Sequence, residues 1–188
     1  MFILAAALCL IVIASYGFIF WLPATIYRAS GYSVRNATLL SALPFLAAIP
    51  GVWFMGKSSD RRGERKLHTA VPLLLGSIFF ALTALTAQPF WLTMIWLSLT
   101  GLMLWAWGPS FWALPTIFLG ESAAAVSVGF INSVGNLGGF IGPYVVGLLR
   151  AQGVAESTVI WLLSAAMALG AVLILLLRIP RQERGILS

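Results

Sequence analysis

Cysteine, histidine and charge are all scarce in this chain of 188 residues, and each scarcity removes a class of function. The single cysteine, Cys9, allows no internal disulfide, and inside an apolar run it reads as a small packing residue. The single histidine, His68, leaves no cluster with metal-ligand spacing, so no metal or cofactor is expected. Only five acids are present, Asp60, Glu64, Glu121, Glu156 and Glu183, and all fall between apolar segments or at their ends. No nucleophile, base and orienter set can be assembled from these residues, which argues against an enzyme. Charged residues make up 9% of the chain against 61% hydrophobic, and with a mean hydropathy of +1.00 the net charge of +6 is poorly explained by nucleic acid.

What the chain has in abundance is long apolar runs. Six can be counted: Phe2 to about Ile26, Ala37 to Met55, Leu67 to Ala87, Phe90 to about Pro115, Ser122 to Leu149 and Thr158 to Leu177. At a rise of 1.5 Å per residue each can cross roughly 30 Å of hydrocarbon, the longer ones by tilting or kinking. Backbone groups in lipid must be satisfied inside the span, so the expected fold is an all-α membrane protein with six transmembrane helices in one domain, residues 1–188. Met1 to Leu22 lacks the basic start and small-residue cleavage pattern of a signal peptide and reads as a spanning helix. Its abrupt apolar beginning leads us to expect a further segment upstream.

Lysine and arginine set the orientation. One side carries Lys57, Arg61, Arg62, Arg65, Lys66, Arg178, Arg181 and Arg184, and the other carries Arg28, Arg35 and Arg150, which places both ends of this chain in the cytoplasm. Trp21, Trp53, Trp91 and Trp161 fall near span ends, where an interfacial belt accounts for them. Trp96, Trp105, Trp107 and Trp112 crowd the fourth span instead, so some of them face an adjacent helix or a cavity.

The stretch from Gly56 to Lys66 concentrates five of the eleven basic residues between the second and third spans. A positive-inside anchor would accept lysine and arginine in any order, but the order here suits a structural latch. Gly56 and Gly63 permit tight turns at the two ends, Asp60 can accept hydrogen bonds from backbone donors at a helix start, and Arg61 can pair with a carboxylate. The spacing G-x-x-x-D-R-x-G-x-R resembles the signature loop of the major facilitator superfamily of secondary transporters, which lies between the second and third spans of each six-helix half. The resemblance implies a conformational latch formed by Gly56, Asp60, Arg61, Gly63 and Arg65 that helps hold two halves together at the cytoplasmic face. Glu64 stands where the family usually has a basic residue, and D-R-x-G-E-R followed by Lys66 and His68 looks like the variant of the anion:cation symporter family. His68 reads as an interfacial polar anchor more readily than as a proton relay.

In the fifth span, Asn132 and Asn136 share a helix face, and two amides at that depth require partners or water. They line a cavity or form an interhelical hydrogen-bond pair. Gly135 with Gly139, and Gly138 with Gly142, form two small-x-x-x-small pairs suited to close backbone contact, with flexibility at Pro143 a secondary role. Counting back from a turn near Leu119 to Ser122 brings Trp112 within roughly two helical turns of the depth of Asn132, close enough to line one site, and Pro109 and Pro115 should break the helix on either side of it. Trp112 with Phe111 lines a site or packs the core, and Tyr16 presents its hydroxyl to a cavity or to a backbone carbonyl.

Residues Phe111 to Thr116, Ile131 to Tyr144 and Tyr16 to Pro23 are similar to the fourth, fifth and first spans of the C-terminal half in bacterial members of the anion:cation symporter family. The resemblance implies spans seven to twelve of a twelve-span inner-membrane transporter working by alternating access, in which Trp112 and Asn132 help enclose the substrate; the shared face of Asn136 and the mid-span hydroxyl of Tyr16 add these two as further substrate-binding candidates. Its implied partners are a small organic anion such as a sugar acid, an aromatic acid or a dicarboxylate, H+ as the coupling ion, the lipid bilayer, and a missing N-terminal six-helix half carrying the coupling acids. The competing expectations are a truncated, inactive membrane fragment and a half-transporter that requires a partner half.

Overall fold

The computed structural model describes residues 1–85, 89–118 and 121–178. Among these residues it is all-helical and contains six helical spans long and apolar enough to cross a membrane. The first is α1 (Phe2–Ser30), closed by Gly31 in the left-handed conformation with its N–H donating to the Tyr27 carbonyl. Ser33 then caps α2 (Val34–Leu40), its hydroxyl accepting from the Asn36 N–H at 3.3 Å. The remaining spans are α3 (Ala42–Arg62), α4 (Lys66–Ala84), α5 (Phe90–Ala106) with short continuations α6 (Gly108–Trp112) and α7 (Leu114–Phe118), α8 (Glu121–Asn136) with α9 (Gly138–Ala151), and α10 (Glu156–Leu175).

Proline explains most of the interruptions. Pro44 cannot donate to the Leu40 carbonyl, and α2 gives way to α3 at Ser41. Pro109 and Pro115 act in the same way on the carbonyls of Trp105 and Phe111, and the fourth span breaks at Trp107 and Ala113. The expected breaks on both sides of Trp112 are therefore present. In the fifth span the interruption lies at Leu137, a turn and a half before Pro143, where the Leu137 N–H donates to Val134 three residues back at 3.2 Å.

Several boundaries differ from the sequence expectation. The second span runs to Arg62, so the stretch from Gly56 to Arg62 is helical and the irregular connection shrinks to Gly63, Glu64 and Arg65. Gly56 therefore makes no turn; it lies inside α3, where an added Cβ would meet Pro109 at 3.4 Å. Gly63 does turn the chain, with φ of 61° at the end of α3. The first span extends to Ser30 and the sixth begins at Glu156. The expected turn at Gln88-Pro89 and the hairpin tip near Leu119 lie partly outside the described residues, as do Arg181, Glu183 and Arg184.

The core is organised around α1. Half or more of its most apolar stretch is buried (56%), against 22% for the span containing α2 and α3. It packs on α8, α9 and α10, while α10 packs on α4 and α4 on α5, which in turn carries α3. Leu8, Ile11, Leu22 and Ile26 of α1 meet Leu73, Leu97, Leu163 and Met167 in one continuous cluster. Trp96 stacks on Phe79 of α4 at 6.0 Å and Trp107 is buried edge-on to Phe111, so these two tryptophans of the fourth span face protein.

The contact between α1 and α9 is made by backbone. Gly138 lies against the Cys9 carbonyl, and at Gly142 a Cβ would come within 2.6 Å of the Ile13 carbonyl oxygen. The Gly138 and Gly142 pair thus performs the expected close packing. The Gly135 and Gly139 pair does not act as a unit: Gly135 faces the Leu8 side chain, whereas Gly139 has ordinary room beside the Tyr16 ring.

Candidate functional site

The tight α1–α9 contact places Tyr16 beside the fifth span. The Tyr16 ring lies 3.6 Å from where a Gly139 Cβ would stand, and Asn136 is one helical turn before that glycine. Asn132 lies a further turn back. All three side chains are exposed at the surface of the bundle. The Asn136 Nδ2 group donates to both the main-chain carbonyl and Oδ1 of Asn132, each at 2.8 Å. The two amides therefore pair within one helix, and the interhelical pairing expected as the alternative is not the arrangement formed.

That internal pairing leaves chemistry pointing outward. With Asn136 Nδ2 engaged, the Nδ2 group of Asn132, the Oδ1 of Asn136 and the hydroxyl of Tyr16 have no partner among the described residues. The face thus offers amide and hydroxyl donors, while Phe140 and Tyr144 stack beside it at 5.7 Å. Trp112 stands apart from this group. It is 36% exposed and meets Phe111 edge-on at 5.2 Å, on a segment that packs against α3 and α4. Phe111 is fully buried, so the pair divides, one ring in the core and one at the surface.

The signature loop is a compact polar assembly. Ser59, fully buried, donates to the Glu64 carbonyl at 2.7 Å and accepts from Arg65 Nη1 at 3.0 Å, and the same guanidinium group pairs with Asp60. Asp60 consequently sits at the end of α3 and is satisfied by Arg65; it does not receive donors from a helix start. Glu64 takes that role, accepting from the N–H groups of Leu67 and His68 at the beginning of α4. Arg61, expected to meet a carboxylate, has no ion pair among the described residues.

His68 is buried and bridges two elements, its Nδ1 2.8 Å from Glu64 and its Nε2 2.9 Å from the Ser58 hydroxyl. The ring thus ties the last turns of α3 to the start of α4. Burial alone would push the Glu64 carboxyl up, but the hydrogen bonds from the Leu67 N–H, the His68 ring and the His68 N–H outweigh it and hold the group below its usual range. Lys66 completes the assembly by donating to the Leu177 carbonyl at 2.8 Å, which ties the end of the sixth span to the loop.

A second polar cluster closes the other end of the bundle, and sequence reasoning missed it. Glu156 accepts from Thr25, pairs with Arg28 Nε at 3.1 Å and approaches Arg150 at 3.7 Å, while Arg150 lies 5.4 Å over the Trp21 ring. Thr25 and Glu156 are 131 residues apart, so no local spacing could have revealed the clasp. Beneath it a cavity of about 20 Å³ is walled by Phe18, Leu22, Phe80, Leu97 and Leu163. That is room for about one water molecule and excludes an organic acid.

Comparison with known proteins agrees with this architecture. The chain is 31% identical to the inner membrane transport protein RhmT of Escherichia coli over 90% of its length and 39% of that protein's. It is 31% identical to a quinolone resistance transporter of Acinetobacter baumannii (92% and 40%) and 29% identical to a putative tartrate transporter of Agrobacterium vitis (88% and 38%). The chain spans about two fifths of the length of each of these relatives. The family profile described as Major Facilitator Superfamily matches residues 1–143, far more than half of the chain, in agreement with the six spans and the loop between the second and third. This chain belongs to the Major Facilitator Superfamily and is a multi-pass membrane protein.

Proposed function

We propose that this chain forms the C-terminal half of a secondary active transporter that moves a small organic anion by proton-coupled symport and alternating access. The observation that carries the proposal is the exposed polar stripe of Tyr16, Asn132 and Asn136. Amides turned toward lipid at mid-span are costly, so this face belongs against water or a second protein surface. Substrate sites of transporters built from two halves lie near the bilayer midplane between those halves. Outward donors on Asn132 and Tyr16 suit carboxylate or hydroxyl oxygens, and Trp112 contributes an exposed ring nearer the fourth-span breaks. The likeness to a putative tartrate transporter supports the class of hydroxylated acids. Among the described residues Asp60, Glu64 and Glu156 all lie at span ends, and the transported proton is assigned to the other half.

The residues Gly56, Asp60, Arg61, Gly63 and Arg65 act in this reading as the conformational latch, with both ends of the chain in the cytoplasm and the protein in the inner membrane. The test uses the intact transporter and uptake of radiolabelled tartrate, a sugar acid and an aromatic acid. Asn132→Ala should lower uptake at least about tenfold, the loss of one hydrogen bond to a charged oxygen, with the amount of inserted protein unchanged. Asn132→Asp should be worse still, because a carboxylate repels an anion. Equal uptake by both variants and the wild type would remove Asn132 from the site, and uptake by Asn132→Asp equal to that of Asn132→Ala would exclude an anion there. For the latch, Asp60→Asn should shift the populations of inward-open and outward-open states in spin-label distance measurements. Unchanged distances would return the loop to plain anchoring.

A further inference from the structure

The charged end of α3 carries a cleft of about 310 Å³ lined by Trp53, Phe54, Lys57, Ser58, Arg61 and Arg62. Trp53, Lys57 and Arg61 recur every four residues, as do Phe54, Ser58 and Arg62, so two adjacent columns on one helix face form its wall. Lys57 Nζ rests 4.6 Å over the Trp53 ring. None of the three cations has a carboxylate partner among the described residues, because Arg65 occupies Asp60 and His68 occupies Glu64. The helix dipole accounts for arginines in the last turn of α3. It does not account for Lys57, a turn earlier, or for two aromatic rings that are 57% and 65% exposed.

Depth sorts these groups. Above Trp53 and Phe54 the exposed face continues apolar through Ile49 and Leu46. Lys57 lies one turn beyond Trp53, about 6 Å along the axis, which matches a headgroup layer of roughly 5–7 Å. An apolar stripe, an aromatic pair and then unpaired cations reproduce the order of acyl chain, interface and phosphate in a phospholipid.

We propose that this cleft binds the headgroup of an anionic phospholipid, with the acyl chains lying along Leu46 and Ile49. A protein partner would have to bring several carboxylates and an apolar surface in register, whereas one lipid supplies both from the bilayer at the right depth. The site shares Arg61 with the latch of the proposed function but needs no substrate and none of Tyr16, Asn132 or Asn136, so its failure in the lipid test below would leave the uptake test of Asn132 standing.

The experiment uses the full chain reconstituted in phosphatidylcholine vesicles containing about one fifth brominated phosphatidylglycerol or, in parallel, brominated phosphatidylcholine. Subtracting the emission of Trp53→Phe isolates the Trp53 signal. Brominated phosphatidylglycerol should quench it at least about threefold more effectively than brominated phosphatidylcholine, given roughly fivefold enrichment per cation at an anionic surface. The variant Lys57→Gln/Arg61→Gln/Arg62→Gln should bring the two lipids to equality. Lys57→Arg/Arg61→Lys/Arg62→Lys should restore the preference, and Arg35→Gln, one cation lost at the other end of the span, should leave it intact. Equal quenching by the two lipids in the wild type overturns the proposal without reliance on any variant folding. So does a Trp53 reached by neither lipid while Lys57→Cys cross-links two copies, which would make the cleft a protein interface.

Discussion

The packing of α9 on α1 makes a quantitative prediction about four glycines in the fifth span. At Gly142 a methyl group would lie 2.6 Å from the Ile13 carbonyl oxygen and 3.1 Å from its Cα, and at Gly138 it would meet the Cys9 carbonyl still more closely. Both obstacles are backbone atoms, so no rotamer change relieves them. Restoring ordinary contact at 3.4 Å requires the helices to separate by roughly 1 Å at these points. Overpacking of this kind costs about 1–3 kcal/mol, and it opposes a gain of up to about 1 kcal/mol from the better helix propensity of alanine. At Gly147 nothing lies within 4 Å, and at Gly139 the nearest atom is the Tyr16 ring at 3.6 Å, so alanine there keeps the gain alone. Gly142→Ala and Gly138→Ala should therefore fall about 1–3 kcal/mol below Gly147→Ala and Gly139→Ala in unfolding of the purified protein by SDS titration in mixed micelles. If Gly142→Ala proves as stable as Gly147→Ala, the two helices do not meet backbone to backbone and the placement of Tyr16 beside Asn136 loses its support.

Two further predictions concern the polar assemblies at the ends. Glu64→Ala removes an acceptor for two N–H groups of α4 and should cost about 1 kcal/mol in a thermal melt. Because the Glu64 carboxyl is held below its usual value of 4.5, its contribution is complete above that pH and disappears as pH falls through the lowered pKa. The wild type should thus lose more stability than Glu64→Gln between about pH 6 and about pH 3, and parallel losses would refute the assignment. Glu156→Gln leaves Arg28 and the largely buried Arg150 without their shared carboxylate. A cost of about 1–2 kcal/mol is expected, reduced from a fully buried pair by partial exposure, and Glu156→Gln/Arg150→Gln should recover part of it. A neutral Glu156→Gln would show the clasp to be incidental.

The number and nature of the spans were legible in the sequence because lipid imposes a simple demand: about 20 apolar residues with internally satisfied backbone. The breaks around Trp112 were legible for an equally local reason, the missing N–H of Pro109 and Pro115. The charged stretch was misjudged in form. Charge marks water, but water does not end a helix, and Lys57 to Arg62 contains no residue that opposes helical geometry before Gly63. For the same reason the acceptor role at a helix start, expected of Asp60, falls to Glu64. Once Gly63 is the turning residue, Asp60 falls in the last turn of one helix and Glu64 precedes the first turn of the next. Asn132 and Asn136 were recognisable as a shared face from their spacing, but the direction of that face depends on Gly138 and Gly142 meeting particular carbonyls of α1. Contacts such as Thr25 with Glu156 or Lys66 with Leu177 join distant segments and leave no periodic trace.

Under the proposed function, these distant contacts also bear on how the six-span bundle would move. At one end Glu156 ties α10 to α1 and to the end of α9; at the other Lys66 ties α4 to the chain just beyond α10. Between them α1 is the most buried of the spans and contacts backbone to backbone with α9. Rearranging helices inside the bundle would break both polar ties and the glycine contact together, whereas turning the bundle as one body breaks none of them. The stripe of Tyr16, Asn132 and Asn136 is bound by none of these ties, its amides being satisfied in part by each other. Under the proposed mechanism, rigid-body rocking is therefore the motion of lower cost, and the exposed polar stripe is the surface against which the partner half and the substrate would alternate.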